Sequence, residues 1–184
     1  MKWMIASDLH GSAYFGEKLV KRFKMEKADR LVLLGDLLYH GPRNDLPKGY
    51  APKELIPMLN DLKNDIICIR GNCDSEVDQM VLEFPILSEY AVLALGEQVV
   101  YATHGHVYNE GRMMPLKVGD GFLYGHTHIP EIREKNGYLF LNPGSISLPK
   151  GGSPNSYMVY ENGIFHLVSL EGTILKDSRS VWIK

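Results

Sequence analysis

Residues 3–11 have the sequence WMIASDLHG, in which a short apolar run is followed directly by an aspartate, a histidine and a glycine. An apolar run of this length, with a helical pattern after it, is typical of a buried strand in an α/β protein. Ligands of open α/β sheets bind outside the carboxyl ends of the strands. The stretch therefore predicts both the fold class and the edge of the sheet where a site should lie.

The rest of the first half repeats this arrangement. Apolar residues recur at helical spacing from Ser12, a candidate N-cap, to about Met25. Further apolar runs cover residues 31–34 and 66–69, and a second helical pattern covers residues 52–62 between them. Continuous apolar strands separated by helices indicate parallel β-α-β units.

The second half has a different pattern, with strand-like segments separated by short turns such as that at residues 161–163. Such turns are typical of antiparallel hairpins. The segments cover residues 91–95, 99–102, 138–141, 157–160 and 164–170. No internal repeat, low-complexity tract or linker separates the two halves, so we predict that residues 1–184 form a single domain.

Composition and charge narrow the classes of function. The chain has 184 residues with a formal net charge of −2, which predicts no extended basic surface for nucleic acid or an anionic membrane. No apolar run is long enough for a signal peptide or a membrane span. The two cysteines, Cys68 and Cys73, are too few for a disulfide framework and favour a reducing compartment. We therefore expect a cytoplasmic protein.

Chemically active side chains follow the ends of the predicted strands. The motifs are Asp8-Leu9-His10-Gly11, Gly35-Asp36, Gly71-Asn72-Cys73-Asp74, His104-Gly105-His106 and Gly125-His126-Thr127-His128. One such motif alone is a surface turn more often than a site. Five of the seven histidines lie in these motifs, however, and surface turns do not need imidazoles interleaved with acids. The joint occurrence favours a metal site.

The donor types indicate what such a site would do. Carboxylate, imidazole and amide donors without a thiolate cage suit an open catalytic centre for Mn²⁺, Fe, Zn²⁺ or Ni²⁺, whereas a structural zinc site needs four closed ligands, usually with cysteine. The candidates are numerous enough for two ions that share one carboxylate. Two ions ~3.5–4 Å apart clamp the attacking and leaving oxygens of an in-line displacement and supply hydroxide near neutral pH. The sequence therefore predicts a two-metal phosphoesterase.

The series D-x-H, G-D, G-N-x-D, H-G-H and G-H-T-H, which spans residues 8–128, resembles the calcineurin-like metallophosphoesterase superfamily. The short chain, the G-N-C-D variant, the loop at residues 40–44 and the turn at residues 142–145 are similar to the YfcE-type bacterial phosphodiesterases. The resemblance implies an α/β sandwich of two facing mixed sheets flanked by helices. It also implies a metal-dependent phosphodiesterase that hydrolyses its substrate with a metal-bridging hydroxide.

The resemblance further implies seven metal ligands in two groups that share one bridging carboxylate. They are Asp8, His10 and His128 for one ion, Asn72, His104 and His126 for the other, and Asp36 between the two. The cofactors would be two divalent ions per chain, with Mn²⁺ as the first choice and Ni, Fe, Zn and Mg as alternatives.

Four residues are assigned to catalysis on the same basis, namely Asn72, Cys73, Asp74 and His106. His106 would lie beside the metals without binding them, and Asp74 occupies the position that orients the family's catalytic histidine. That histidine is replaced here by Cys73, and a thiol near its reference pKa of ~8.5 is a weak proton donor. We therefore expect a preference for esters with good leaving groups.

The loop at residues 41–52 is long for a β-α connection and rich in proline and glycine; such loops are often functional. Two interpretations stay open, a solvated turn or a loop that closes over the metals. In the second, Arg43 binds a phosphate oxygen, and we assign Arg43 and His40 to substrate binding. Residues 142–145 are either a plain turn or a backbone support near His126.

We expect a small-molecule or nucleotide-like phosphate ester as substrate, no membrane partner, and a homodimer or higher homo-oligomer by analogy with the family. A phosphomonoesterase on the same metals is the main alternative. A non-catalytic scaffold, such as the retromer subunit that has a similar fold, is less favoured because the ligand set here is complete. A dinuclear amide hydrolase is the weakest alternative, since the ligand order fits it less well.

Overall fold

The first three strands form the parallel part of a six-stranded sheet in the computed structural model, which describes residues 1–180. The strands of this sheet are β1 (Trp3–Ala6), β2 (Arg30–Leu33), β3 (Ile66–Cys68), β9 (Ser156–Glu161), β10 (Ile164–Ser169) and β11 (Ile174–Asp177). Their order is β11-β10-β9-β1-β2-β3. β1 pairs with β2 and β2 with β3 in parallel, which confirms the β-α-β prediction.

The second sheet contains five strands. They are β4 (Tyr90–Leu95), β5 (Gln98–Thr103), β6 (Gly121–Leu123), β7 (Glu131–Lys135) and β8 (Tyr138–Asn142). Their order is β4-β5-β6-β8-β7. β4–β5 and β7–β8 are antiparallel hairpins, but β6 pairs in parallel with both β5 and β8. The second half is therefore not purely antiparallel, and three of its strands end at the same edge.

The two main helices cover one face of the six-stranded sheet. In α1 (Ala13–Glu26) the hydroxyl of Ser12 accepts the N–H of Phe15 at 3.1 Å, and this bond caps the first turn as its sequence predicts. Helix α2 (Pro52–Asn60) begins with a proline, whose fixed φ suits the first turn of a helix. A four-residue helix, α3 (Glu76–Gln79), follows the third motif and was not expected from the sequence. The chain ends its described part in a 3₁₀ turn at Ser178–Ser180.

The apolar residues of β1 alternate between two cores because successive side chains of a strand point to opposite faces. Met4 and Ala6 pack in the core beneath the helices, together with Leu19 of α1. Ile5 packs in the core between the two sheets, together with Leu141 of β8. The buried strands are thus covered on both faces, and the two-sheet α/β sandwich with flanking helices is confirmed. Within residues 1–180, no helix has the length and apolar content needed to cross a membrane.

Candidate metal centre

The candidate ligands lie at one edge of the sandwich, where β1, β2 and β3 end beside β5, β6 and β8. Hydrogen bonds join the loops after these strands across the two sheets. His104 Nδ1 lies 2.6 Å from the carbonyl oxygen of Leu34, and the N–H of His126 donates to Asp8 Oδ2 at 3.1 Å. Gly125 N–H donates to the carbonyl of His104 at 2.9 Å. The motifs predicted at strand ends therefore meet at one place.

Three imidazoles are fixed in the orientation that a metal ligand needs. In each, Nδ1 lies at hydrogen-bond distance from a backbone carbonyl, which can only accept, so in the neutral ring Nδ1 carries the proton and Nε2 is the nitrogen left to bind a metal. The pairs are His10 with Tyr39 (2.9 Å), His104 with Leu34 (2.6 Å) and His128 with Leu148 (2.7 Å). All three Nε2 atoms face the cluster of carboxylates.

Asp8 forms the centre of the first ligand group. Its Oδ1 lies 3.6 Å from Nε2 of His10 and 3.3 Å from Nε2 of His128, and these two nitrogens lie 3.2 Å apart. Asp8 is fully buried, and among residues 1–180 its Oδ1 has no hydrogen-bond donor. Burying a carboxylate oxygen without a partner is costly. The donors therefore fit a cation placed between them.

Asp36 lies between the two ligand groups. Its Oδ2 is 3.7 Å from Nε2 of His10 and 3.5 Å from Nε2 of His104, while its Oδ1 accepts the N–H of Cys73 at 2.8 Å. Asn72 Oδ1 lies 3.1 Å from His104 Nε2 and completes this side. Asp36 Oδ2 thus faces one imidazole of each of the two expected ligand groups. Three sets of donors lie within 4.8 Å of one another: Asp8 with His10 and His128, Asp8 with Asp36 and His104, and His10 with Asp36 and Cys73.

The carboxylates and imidazoles of the cluster each favour the charged form of the other. Burial opposes ionisation of Asp8 and Asp36, but the neighbouring histidines outweigh it and hold both carboxyl pKa values below their usual range. Burial likewise lowers the pKa of His104, whereas Asp36 and Asp8 raise it more, to about 9. The metal-free cluster thus keeps protons on imidazoles beside ionised carboxylates, and bound cations would replace those protons.

His126 and His106 lie next to His104, with ring centroids 5.1 Å and 5.4 Å from it. Burial, followed by the charge of His104, lowers the pKa of both. His126 is half-buried and lines the open side of the cluster. His106 is exposed beside the cluster, and the expectation that it lies beside the metals without binding them stays a prediction.

Cys73 and Asp74 have different environments. Cys73 Sγ accepts Nδ2–H of Asn72 at 3.2 Å, and burial together with the charge of Asp36 raises the pKa of the thiol to about 12. Asp74 lies beneath the site, where its carboxylate accepts the N–H groups of Asp36, Leu37 and Gly71 at 2.7–2.8 Å. The structure therefore places Asp74 as a support of the loops after β2 and β3. Its expected role in orienting a catalytic side chain stays a prediction.

The backbone of the ligands is held in an unusual conformation. Eight non-glycine residues of the described chain have positive φ, and five of them are candidate ligands, namely Asp8, His10, Asp36, His126 and His128. Each such residue costs ~1–3 kcal/mol and persists only where its surroundings enforce it. Here the hydroxyls of Ser145 and Ser147 both donate to the carbonyl of Asp8, at 2.8 and 2.9 Å. Asn142 Nδ2 donates to the carbonyl of Gly125 at 3.0 Å. The segment at residues 142–147 thus acts as the backbone support that was one of the two interpretations.

A cleft of about 300 Å³ opens above the ligands. Its lining residues are Asp36, Arg43, Asn44, Asn72, His126, Thr127, His128 and Lys150. Arg43 therefore lies where a substrate-binding residue is expected, but His40 does not line the cleft. Its ring packs instead against Tyr39 and Tyr50, with centroids 4.8 and 5.3 Å away. A larger cavity of about 420 Å³ lies at residues 130–134, away from the ligands, so we place the site in the smaller cleft.

Two residues of this cleft were not predicted from the sequence. Asn44 follows Arg43 in the same loop, and Lys150 lies in a Pro-Lys-Gly-Gly stretch far along the chain. The two glycines after Lys150 adopt positive φ of 64° and 73° and form a tight turn. That dipeptide was the only sign in the sequence that this lysine is held in place.

Buried carboxylates and oriented imidazoles at the strand ends of a two-sheet α/β sandwich, below a cleft with basic side chains, define a metal-dependent phosphoesterase. Residues 1–162 match the Calcineurin-like phosphoesterase superfamily domain, and the chain belongs to this family. It is an enzyme that hydrolyses phosphoric esters.

Known relatives agree with this assignment. The chain is 44% identical to Phosphodiesterase YfcE of Escherichia coli (strain K12) over 170 residues, which cover 92% of each sequence. The solved structure of YfcE, a phosphoesterase from E. coli, has a TM-score of 0.94 at 43% identity and covers 96% of this chain and 98% of that one. Vps29 from Entamoeba histolytica, solved in complex with Zn²⁺, has a TM-score of 0.59 at 21% identity over 92% and 93% of the two chains. At that identity the similarity supports the common fold alone.

Proposed function

We propose that this enzyme is a two-metal phosphodiesterase that acts on small or nucleotide-like phosphodiesters, with Mn²⁺ as its first-choice metal. The observation that supports two ions is the position of Asp36 Oδ2, which faces Nε2 of His10 on one side and Nε2 of His104 on the other. When bound there, two divalent ions supply Lewis acidity and a hydroxide nucleophile. The seven metal ligands assigned from the sequence are our proposal for the residues that would hold these two ions.

The chain's own residues would bind and orient the substrate. Arg43 lines the cleft above Asp36 and Asn72, where its planar guanidinium can hold a non-bridging phosphate oxygen. His106 lies next to His104 and His126 with a lowered pKa and would act as a neutral hydrogen-bond partner beside the cluster. Asn72 presents its amide oxygen to the cluster and its amide N–H to Cys73.

Cys73 is proposed to be a poor proton donor for the leaving group. Its pKa of about 12 keeps the thiol neutral at physiological pH, and a neutral thiol donates weakly and cannot bring positive charge to the transition state. The enzyme should therefore favour esters whose leaving groups need little protonation.

The preference for diesters over monoesters rests on the relationship to YfcE, which is named a phosphodiesterase. The test uses protein stripped of metal by a chelator and reloaded with Mn²⁺, Ni²⁺, Zn²⁺ or Mg²⁺. Stripped protein should not hydrolyse bis(4-nitrophenyl) phosphate, and Mn²⁺ should restore the activity. Under the same conditions 4-nitrophenyl phosphate should react more slowly. Full activity in protein shown to be metal-free would exclude the mechanism, and faster cleavage of the monoester would exclude the phosphodiesterase assignment.

Three expectations about the whole protein remain proposals. We propose that residues 1–184 act as one domain in the cytoplasm, where the free thiols of Cys68 and Cys73 would stay reduced. We also propose a homodimer or higher homo-oligomer, because sheet edges with unpaired backbone groups are suited to pairing with another chain. Size-exclusion chromatography with light scattering tests the last point, and a monomeric mass at working concentration would contradict it.

A further inference from the structure

Lys150 lines the cleft above the candidate ligands, and its backbone is hydrogen-bonded to that of His128, one of these candidates. Its N–H donates to the carbonyl of His128 at 3.0 Å, and His128 Nδ1 in turn lies 2.7 Å from the carbonyl of Leu148. The carbonyl of Lys150 accepts the hydroxyl of Ser153 at 2.7 Å. The backbone of Lys150 therefore keeps a set position relative to His128, although its side chain is exposed.

The charge of Lys150 is not used within the described protein. Neither Lys150 nor Arg43 forms an ion pair with a carboxylate of residues 1–180. In the larger cavity, by contrast, Arg133 is paired with Glu110 and Glu131, and the ammonium of Lys176 donates to the carbonyl of Ile132. Two unpaired cations thus line the cleft above the ligand cluster.

Two cationic side chains are more than the binding of a simple phosphodiester requires. A diester carries a single negative charge, which Arg43 and the metals would already neutralise under the proposed function. Two divalent ions would also outweigh the negative charges of Asp8 and Asp36, so Lys150 is not needed to neutralise these carboxylates. The cleft volume of about 300 Å³ is at the lower end of the range for ligand pockets and is larger than one phosphate group occupies.

The geometry points to Lys150 as the binding residue for a second anionic group of the substrate, which makes the preferred substrate a phosphodiester with an additional phosphate. This inference rests on the proposed function and narrows its substrate class. A lysine suits this role because its ammonium is a point charge that can contact a phosphate from several directions. Arg43 would hold the phosphate that is cleaved, and Lys150 the one that is not.

The test compares two diesters with the same leaving group, thymidine 5′-(4-nitrophenyl phosphate) and the same compound with a 3′-phosphate. With metal-loaded wild-type enzyme, the added phosphate should lower KM by roughly fivefold, the size expected for one exposed charge pair. Lys150→Met keeps the apolar stem and removes the charge, so the ratio of the two KM values should fall to about one. Lys150→Arg should preserve most of the ratio.

Lys53 provides the matched control because it is an exposed lysine on α2 that lies outside the cleft. Lys53→Met should keep the wild-type ratio, and metal content is measured for every variant so that loss of metal is not mistaken for loss of the contact. A wild-type ratio near one, or an unchanged ratio in Lys150→Met, would overturn the inference. Either result could occur while the simple diester is still hydrolysed, so it would leave the proposed function intact.

A binding measurement covers the case in which neither diester is hydrolysed, which would contradict the proposed function. Calorimetry then compares thymidine 3′,5′-bisphosphate with thymidine 5′-monophosphate on the metal-loaded protein. Tighter binding of the bisphosphate that disappears in Lys150→Met supports the inference. Equal binding of both compounds, or a preference that survives in Lys150→Met, overturns it.

Discussion

Cys73 occupies the position at which the family usually has a histidine, and its contacts explain what the thiol does there. Its N–H donates to Asp36 Oδ1 and its sulfur accepts the amide N–H of Asn72. The backbone bond does not depend on the side chain, so the sequence can change at this position without removing the support of Asp36. The side-chain bond is weak and serves to orient Asn72.

A working general acid contributes ~10²–10⁴-fold to the rate. Because the Cys73 thiol should not act as one, we expect Cys73→Ala to slow hydrolysis of an activated aryl diester by less than about tenfold. Cys73→His should raise the rate on esters with poor leaving groups more than on esters with good ones. The gain should be limited, since Asp74 is engaged by backbone amides and is not free to orient the new imidazole. Steady-state rates across a series of leaving groups measure this. A folded, metal-replete Cys73→Ala protein without activity would show that the thiol itself takes part.

His104 makes metal binding depend on pH. In the metal-free protein burial lowers the pKa of His104, but Asp36 and Asp8 outweigh this and raise it to about 9, above the usual 6.5. A metal ion must displace this proton at any pH below about 9. Apparent metal affinity should therefore rise by up to about tenfold per pH unit from pH 6.5 to 9, and calorimetry in buffers of different ionisation enthalpy should show proton release.

The same raised pKa predicts the sign of the effect on stability without metal. The stabilisation that protonated His104 gives the folded protein is fully present below pH 6.5 and is lost as the pH rises through about 9. Stripped protein should therefore melt at a lower temperature at pH 9 than at pH 6.5. His166→Ala, which changes a histidine of β10 outside the cluster, is the control and should keep this dependence. Metal affinity and melting temperature that do not vary with pH would contradict the assignment.

At the scale of elements, the loops after β2 and β3 are packed so closely that only glycine fits between them. A Cβ on Gly71 would lie 2.1 Å from Asp36 Oδ1 and 2.3 Å from the Asp36 nitrogen. A Cβ on Gly35 would likewise lie 2.3 Å from the nitrogen of Gly71. These loops meet because Asp74 accepts backbone amides of both, and the contact fixes the carboxylate of Asp36, the proposed bridging ligand.

Gly71→Ala should therefore displace the carboxylate of Asp36 and lower metal occupancy and activity by at least about tenfold, while the sheets still fold. Gly111→Ala is the matched control, since Gly111 is exposed and its new methyl group would lie 3.3 Å from one side-chain oxygen. Elemental analysis, activity and circular dichroism are measured on both variants. A Gly71→Ala protein with wild-type metal content would contradict the role given to this contact.

The elements that could be predicted from the sequence are those that bury an apolar run. The parallel strands and α1 have this property, and their predicted ranges agree with the structure to within about two residues. β7 and β11 were missed because both are edge strands with many polar or exposed residues. No range was predicted for β6, whose run is only three residues long, and α3 was missed because four residues show no periodicity. These elements depend on tertiary contacts, and the local pattern of the sequence gives no information about such contacts.

The site was predictable to a similar extent. The ligand motifs were found because each directly follows a strand, and the direction of parallel strands brings them to one edge. The contacts of Asp74 could not be predicted, because a sequence does not reveal that its carboxylate accepts backbone amides of the loops after β2 and β3. Lys150 was missed because its position depends on a turn that is adjacent to His128 in space only. The packing of His40 against Tyr39 and Tyr50 also depends on tertiary contacts.

At the scale of the whole molecule, the sandwich brings together donors from both sheets. His10 and His128 are 118 residues apart in the chain, yet their Nε2 atoms lie 3.2 Å apart. Asp36 lies between the two proposed ligand groups, each of which contains donors from both sheets. The two-metal proposal therefore depends on this carboxylate more than on any single histidine, because each histidine would contact one ion and Asp36 would contact both.

The central claim is tested most directly by metal content per chain, measured by elemental analysis after stripping, reloading with Mn²⁺ and removal of excess metal. Wild-type protein should retain two ions. His10→Ala and Asn72→Ala should each retain about one, because each removes a ligand of a different ion, and folded Asp36→Asn should retain fewer than either. A folded Asp36→Asn protein that still holds two ions per chain would contradict the bridging assignment, and a wild-type protein that saturates at one ion would contradict the two-metal centre itself.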